Sequence, residues 1–167
     1  MAPVFAQRHT IQAQIRRALS AAPQGIAAKA TVGVLDPHGK LKELRHGSNG
    51  WTCLPAATGD PDPLPYCVDP NGLAWIESVM TGKMPDPRKP GYSYMLQGGS
   101  AWSNVDPNAR SLTAGRKDYI HIPPHIMILS QRIADESGFP SGADPDPTQP
   151  FVMFGGSPYA ILILPVK

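Results

Sequence analysis

Three stretches of the chain carry apolar residues at helical intervals. The first follows Thr10, a favourable N-cap residue, and ends before Pro23. The second follows Asp69, which suits the N-cap and precedes a proline at the first helical position, and it ends at Gly82. A shorter pattern spans residues 130–137. The spacing therefore predicts two or three helices.

Six shorter stretches are apolar or alternate between apolar and polar residues, and turn residues bound them. They cover residues 30–35, 41–46, 92–96, 125–129, 151–154 and 159–166. Short turns join neighbouring stretches at both ends of the chain, as at Asp36-Pro37-His38-Gly39. This pattern predicts an α+β fold, an antiparallel sheet of about six strands with two or three helices packed on one face.

The composition is that of one globular domain with many turns. The 167 residues are enough to bury a core, and 41% of them are hydrophobic. Twenty prolines and sixteen glycines indicate long ordered loops. The charged fraction is only 17% and the net charge is +2, with no concentrated basic face, so we expect no nucleic-acid partner. No apolar run approaches the roughly 20 residues that span a bilayer, so we expect no membrane span.

Residues 1–8 are interpreted separately from the domain, which we expect to cover residues 9–167. Val4 and Ala6 are spaced like the residues that precede a signal-peptidase cut, in a segment that lacks the charged and apolar regions of a whole signal peptide. The segment is therefore either a signal-peptide remnant or a disordered terminus. The first alternative predicts a periplasmic or secreted protein.

Cys53 and Cys67 flank the proline-rich segment LPAATGDPDPLPY, in which we expect little helix or sheet. In the chain-entropy model, a disulfide that closes a loop of about 15 residues stabilises the fold by about 3 kcal/mol, because it lowers the conformational entropy of the unfolded chain. The alternatives are two free thiols or a metal site, and neither cysteine has the CxxC partner or nearby histidine of a metal site. We favour the disulfide, which an exported protein permits.

Several strings of the sequence occur together in a recognisable order. They are NGWTC at 49–53, the second cysteine Cys67, MLQGGSAWSNVDP at 95–107, PHIMI at 124–128 and the closing FVMFGGSPYAILILPV. Together they resemble a group of uncharacterised exported bacterial proteins of about this size. The resemblance implies export and supports the disulfide, and it implies no reaction. Members of the group often carry a histidine in the last strand after the Pro-Tyr pair, whereas Pro158-Tyr159-Ala160-Ile161 contains none, so a site that needs this histidine is not expected here.

The stretch GYSYMLQGGSAWSN, residues 91–104, predicts a buried strand that ends at paired glycines and runs into a polar loop. Loops at strand ends tend to carry function. We expect a ligand site built by loops from Trp51, Trp102, Asn104 and His125. The leading hypothesis is an exported module that binds a small molecule or has a structural role, with no cofactor required by the sequence.

An alternative hypothesis is a hydrolase that uses His125 as a general base with a nearby serine or an activated water. The candidate nucleophiles are Ser100, Ser103 and Ser157, and Asp106 is the candidate for orienting the base. The string GGSAW differs from the G-x-S-x-G elbow, and these side chains also suit turns in which they bond to their own backbone. We favour the turn interpretation.

A third hypothesis is a metal site that His121 and His125 share. The intervening Pro123-Pro124 excludes a helix, and four extended residues span roughly 13 Å, so a shared metal requires a sharp turn. Thioethers suit Cu(I), but the positions of Met80, Met95, Met127 and Met153 on apolar faces favour core filling. Two DPDP strings, at 60–63 and 144–147, are interpreted as solvated loops rather than calcium sites.

Overall fold

The computed structural model describes residues 4–57, 59–112 and 118–166, without the side chains of residues 4–9. The helices in these ranges are α1 Val4–Leu19, α2 Gln24–Ala27, α3 Pro70–Thr81 and α4 Gln131–Glu136. The strands are β1 Thr31–Leu35, β2 Leu41–Arg45, β3 Thr52–Leu54, β4 Tyr66–Val68, β5 Gly91–Met95, β6 Gly99–Ala101, β7 Ile120–Ile122, β8 His125–Leu129, β9 Phe151–Met153 and β10 Ile161–Pro165.

Eight of these strands form one mixed sheet in the order β2-β1-β3-β4-β5-β8-β10-β9. β1 and β3 are parallel, and the other neighbours in this sheet are antiparallel. β6 and β7 pair with each other as a separate antiparallel ribbon. The α+β class is confirmed, but the prediction of an all-antiparallel sheet of about six strands is wrong, because the chain returns from the β1–β2 hairpin to run parallel to β1.

Helices cover both faces of the sheet, which corrects the expectation of helices on one face. Trp75 of α3 belongs to the same core cluster as Leu54 of β3, whereas Ala18 of α1 packs with Cys53, the preceding residue of that strand. Because successive side chains of a strand point to opposite faces, α3 and α1 lie on opposite sides. We call these sides the α3 face and the α1 face.

Because of the strand register, the α3 face and the α1 face extend across the whole sheet. Ala134 of α4 packs with Leu162, which continues the α1 face into the strands at the other edge. Ile122 of the β6–β7 ribbon joins the core cluster of α3. The α3 face is therefore covered by one helix and one ribbon, which come from distant parts of the chain.

The helix boundaries follow the capping residues where the sequence has them. Asp69 caps α3 by accepting a hydrogen bond from the Gly72 backbone N at 2.7 Å, and Gly82 ends the helix with a φ of 68°. Ser130 caps α4 by accepting from the Ile133 backbone N at 3.4 Å. The expectation that Thr10 caps α1 is wrong, because α1 begins at Val4. The interpretation of residues 1–8 as a signal-peptide remnant stays a prediction.

The disulfide between Cys53 and Cys67 is confirmed. The two residues are direct partners on β3 and β4, and both are completely buried on the α1 face. Among the described residues of the segment between them, only Leu54 and Tyr66 at its ends belong to strands, so the expectation of little helix or sheet within it is confirmed. Arg17 of α1 ties the intervening loop to the helix, because its Nε donates to the Pro55 carbonyl at 2.8 Å and its Nη2 to the Pro63 carbonyl at 2.7 Å.

Of the helices within the described ranges, none combines the length and the apolar character that a membrane crossing requires.

Candidate functional site

A cavity of about 200 Å³ lies on the α3 face, between the sheet, α3 and the β6–β7 ribbon. Its α3 wall consists of Trp75, Ile76, Val79 and Met80. Close contact fixes the other end of the helix on the sheet, since a side-chain carbon at Gly91 would lie 2.5 Å from the Gly72 Cα. The cavity therefore opens beside the second half of α3, where larger side chains face the strands.

His125 is the buried polar side chain that β8 contributes to this cavity, and it is only 1% exposed. Its Nδ1 lies 2.7 Å from the Pro123 carbonyl oxygen. Because a carbonyl only accepts, Nδ1 carries the hydrogen. Burial lowers the pKa of His125 to about 4, so the ring is neutral near pH 7 and Nε2 has a free lone pair. No described residue forms a hydrogen bond with Nε2.

The backbone of Gly99, which has no side chain, packs against the His125 ring. A side-chain carbon at Gly99 would lie 3.3 Å from His125 Cε1 and 3.2 Å from Met95 Cε. Gly99 belongs to β6, so the ribbon approaches the sheet here with its backbone alone. The paired glycines of the sequence pattern therefore allow the ribbon to pack against His125.

Four methionines line the same cavity. They are Met80, Met95, Met127 and Met153, the set that the sequence places on apolar faces. Met95 and Met153 are buried within the core cluster of the α3 face, and Met127 packs against it. Core filling therefore describes their packing only in part, because each also presents surface to an open volume.

Charged side chains line another part of the cavity. Desolvation raises the pKa of Asp60 to about 7, although the positive charge of Arg110 opposes the shift. Burial raises the pKa of Tyr66 as well, and the nearby Asp60 charge adds to that effect. Asp60 is therefore partly buried, whereas Asp62 of the same DPDP string is exposed, as the interpretation of a solvated loop expects. The exposed Arg110 packs over Gly59, at which a side-chain carbon would lie 3.8 Å from its Nε.

The proposed hydrolase set is not assembled in this arrangement. Ser100 and Ser103 line the cavity, but their hydroxyls are engaged elsewhere. Ser100 Oγ accepts from the Asp62 backbone N at 3.1 Å, and Ser103 Oγ donates to the Asp118 carboxylate. Among the described residues, no hydrogen bond joins His125 to a serine or a carboxylate.

The remaining members of that set occupy turns. Ser103 Oγ accepts from the Asp106 backbone N at 2.8 Å, and Asp106 Oδ1 accepts from the Asn108 backbone N at 2.9 Å. Ser157 Oγ accepts from the Tyr159 backbone N at 3.2 Å. These contacts agree with the turn interpretation of the sequence.

The four residues expected to form one ligand site are divided between two faces. Trp102 and His125 line the cavity. Trp51 lies on the α1 face, where its ring centroid is 5.4 Å from that of Tyr94. The expected four-residue site is therefore wrong, because Trp51, directly before β3, packs on the same face as Cys53 and away from the cavity.

Asn104 is buried but does not line the cavity. Its Nδ2 donates to the Gly142 carbonyl at 2.6 Å and to the Val152 carbonyl at 3.3 Å. Its backbone oxygen accepts from the Phe154 N at 2.8 Å. Asn104 therefore fastens the loop after β6 to the edge strand β9, which is a structural role.

The structure also separates the two histidines of the metal hypothesis. His121 is exposed and lies between Ile120 and Ile122 of β7, whose side chains enter the core of the α3 face. His121 therefore points away from the core, whereas His125 is buried in it. The described residues contain no cluster of three or more histidine, cysteine, aspartate and glutamate side chains that could hold a metal ion.

Comparisons with models of protein families, with curated proteins and with solved structures find no match to this chain. The geometry of the cavity therefore carries the functional argument.

Proposed function

We propose that the protein binds a small, uncharged and largely apolar ring compound in the cavity beneath α3. The observation that carries this proposal is the Nε2 of His125, with which no described residue forms a hydrogen bond, in a cavity lined mainly by apolar side chains. The proposed ligand packs its ring against the methionines and donates one hydrogen bond to Nε2.

The volume limits the size of the ligand. A dry apolar cavity of about 150 Å³ accommodates benzene. The cavity of about 200 Å³ therefore suits a single ring with one or two small substituents. Thioethers make favourable contacts with aromatic ring edges, and several line this space. An aromatic ring is accordingly a better occupant than an open chain of the same size.

The polar contact limits the chemistry of the ligand. Near pH 7 the neutral His125 accepts a hydrogen bond through Nε2, because Nδ1 is committed to Pro123. A charged ligand group loses its hydration in a mainly apolar cavity and finds no opposite charge at His125, and the positive charge of Arg110 is already offset by the nearby Asp60. A phenolic hydroxyl, which is uncharged and a good donor, satisfies both conditions.

The buried disulfide is consistent with folding in an oxidising compartment, and we include export to the periplasm or the medium in the proposal. A disulfide persists in such a compartment, whereas the reducing cytosol disfavours it. Detection of the mature protein in periplasmic or culture fractions of its native host tests this part, and a purely cytosolic protein contradicts it.

Calorimetry with phenol, toluene and benzoate tests the ligand proposal. We expect phenol to bind about tenfold more tightly than toluene, because one net hydrogen bond contributes about 1.4 kcal/mol. We expect benzoate to bind most weakly. H125L should remove the advantage of phenol over toluene while toluene still binds.

Two further variants locate the binding. V79F fills the cavity from α3 and should abolish binding of both neutral compounds. W51F changes the opposite face of the sheet and should leave their affinities unchanged. The proposal fails if neither neutral compound binds the wild-type protein, or if V79F binds them as well as wild type does.

A further inference from the structure

The pairing of β5 with β8 brings three soft metal ligands to one place on the cavity floor. Met95 and His125 are direct cross-strand partners. Met127 is two residues beyond His125, so its side chain lies on the same face of the same strand. Direct partners in antiparallel strands have Cβ atoms about 5 Å apart, and diagonal neighbours about 7–8 Å apart. All three side chains line the cavity.

The packing of Gly99 shows that two of these side chains approach the same point of the ribbon. A side-chain carbon at Gly99 would lie 3.5 Å from Met95 Sδ and 3.3 Å from His125 Cε1. The sulfur and the imidazole edge therefore flank the same point of the ribbon backbone. Since Nδ1 of His125 is occupied by the Pro123 carbonyl, Nε2 is the nitrogen that remains for a ligand.

From this arrangement we infer that His125 Nε2 and the thioethers of Met95 and Met127 form a binding site for Cu(I). Thioether sulfur and imidazole nitrogen are donors that suit Cu(I), whereas Ca²⁺ and Mg²⁺ require oxygen ligands. Met80 and Met153 line the same cavity and supply alternative thioethers. The site is distinct from the proposed pairing of His121 with His125, and it does not depend on the binding of a ring compound.

The surroundings of the three ligands favour a monovalent ion over a divalent one. The ligands carry no charge, so the bound ion keeps its own charge in an enclosure of low polarity, and this cost rises steeply with charge. Asp60 and Arg110 line the same cavity with opposite charges, so the lining adds no net negative charge that would favour a divalent ion. We therefore expect Cu(I), or the similar ion Ag(I), and not Zn²⁺.

Competition with the chromophoric chelator bicinchoninate, under argon with ascorbate, tests the site. Wild-type protein should withdraw one equivalent of Cu(I) from the chelator. M95L and M127L should each weaken the affinity at least tenfold, and H125L more than either. Met→Leu conserves volume, so the fold should persist. M84L is the matched control, because Met84 is 70% exposed and does not line the cavity, and its affinity should equal that of wild type.

A second measurement needs no variant. Addition of Ag(I) to methyl-labelled wild-type protein should shift the methionine methyl resonances of Met95 and Met127 and leave that of Met84 in place. Failure to withdraw Cu(I), or retention of wild-type affinity by M95L and H125L, overturns the inference. Ag(I) shifts confined to methionines outside the cavity overturn it as well. A negative result for copper leaves the binding of phenol or toluene to be decided by its own titration.

Discussion

Asp69 and Tyr92 are joined by a hydrogen bond of 2.8 Å, in which the Tyr92 backbone N donates to Asp69 Oδ1. The same oxygen accepts from the Gly72 backbone N at the start of α3. One carboxylate therefore caps the helix and fastens it to β5, the strand that carries Met95. The position of the helix above the cavity depends on this joint.

Replacement of Asp69 should destabilise the protein. D69A removes the cap of α3 and leaves the Tyr92 N–H without its partner, so we expect a loss of about 1–3 kcal/mol in the free energy of unfolding. Urea denaturation measures it. D144A is the control, because Asp144 is an exposed aspartate in a loop, and it should change stability by less than about 0.5 kcal/mol. Equal losses in the two variants would contradict the assigned role of Asp69.

Removal of the disulfide should also lower stability. The bond closes a short loop between Cys53 and Cys67, with a sequence separation of 14. The double variant C53A/C67A should lose about 3 kcal/mol, mainly because its unfolded chain is less restricted. Denaturant titration of the variant beside the oxidised wild type gives the difference. Thiol titration of the unfolded, unreduced wild type should find no free thiol, and a finding of two thiols refutes the bond.

Protonation of His125 should destabilise the metal-free protein in acid. Its pKa is lowered to about 4 by burial, below the ordinary value of about 6.5, so the unfolded state binds more protons between these values. The contribution of neutral His125 to the free energy of unfolding is complete above pH 6.5. It is lost as the pH falls through 4, by about 3 kcal/mol in total. H125Q should remove this slope, as measured by urea denaturation across that range. H121Q alters an exposed histidine and should retain the pH dependence of stability. Its loss in H121Q would contradict the assignment of this pH dependence to His125.

Asp60 should oppose His125 across much of the same pH range. Desolvation raises its pKa to about 7, so as the pH rises the carboxyl group loses its proton at a lower pH in the unfolded state than in the folded state. Its contribution is complete below pH 4 and is lost as the pH rises through 7. D60N should therefore be relatively more stable at pH 8, and its stability should fall more steeply in acid than that of wild type. D144N should behave like wild type, and a D60N profile parallel to wild type would contradict the shifted pKa.

Much of the fold is predictable because its longer elements repeat a pattern. Each of the six strand-like stretches overlaps a strand, the cap at Asp69 begins a helix as expected, and the helical pattern at 130–137 contains α4. The strands β3, β4, β6 and β7 were not predicted. Each is three residues long, which is too short to display a period of two among prolines and glycines.

The candidate site was predictable in part for the same reason. His125 and Trp102 follow recognisable strand ends, and both line the cavity. The face on which Trp51 lies depends on the register of β3, which the sequence pattern does not reveal. Along the sequence Asp60 is indistinguishable from an ordinary loop residue, because its desolvation arises from residues that are distant along the chain.

The pairing of β5 with β8 has a consequence for engineering. The chain leaves the main sheet after Met95 and rejoins it at His125, directly across from the point of departure. The described part of this excursion provides Trp102 and Ile122 to the cavity wall, while the frame below is closed by backbone ladders of its own. Substitutions at Trp102 should therefore alter what the cavity admits, whereas Ile122 in the core and the hydrogen bond of Asn104 to Val152 should keep the excursion attached to the sheet.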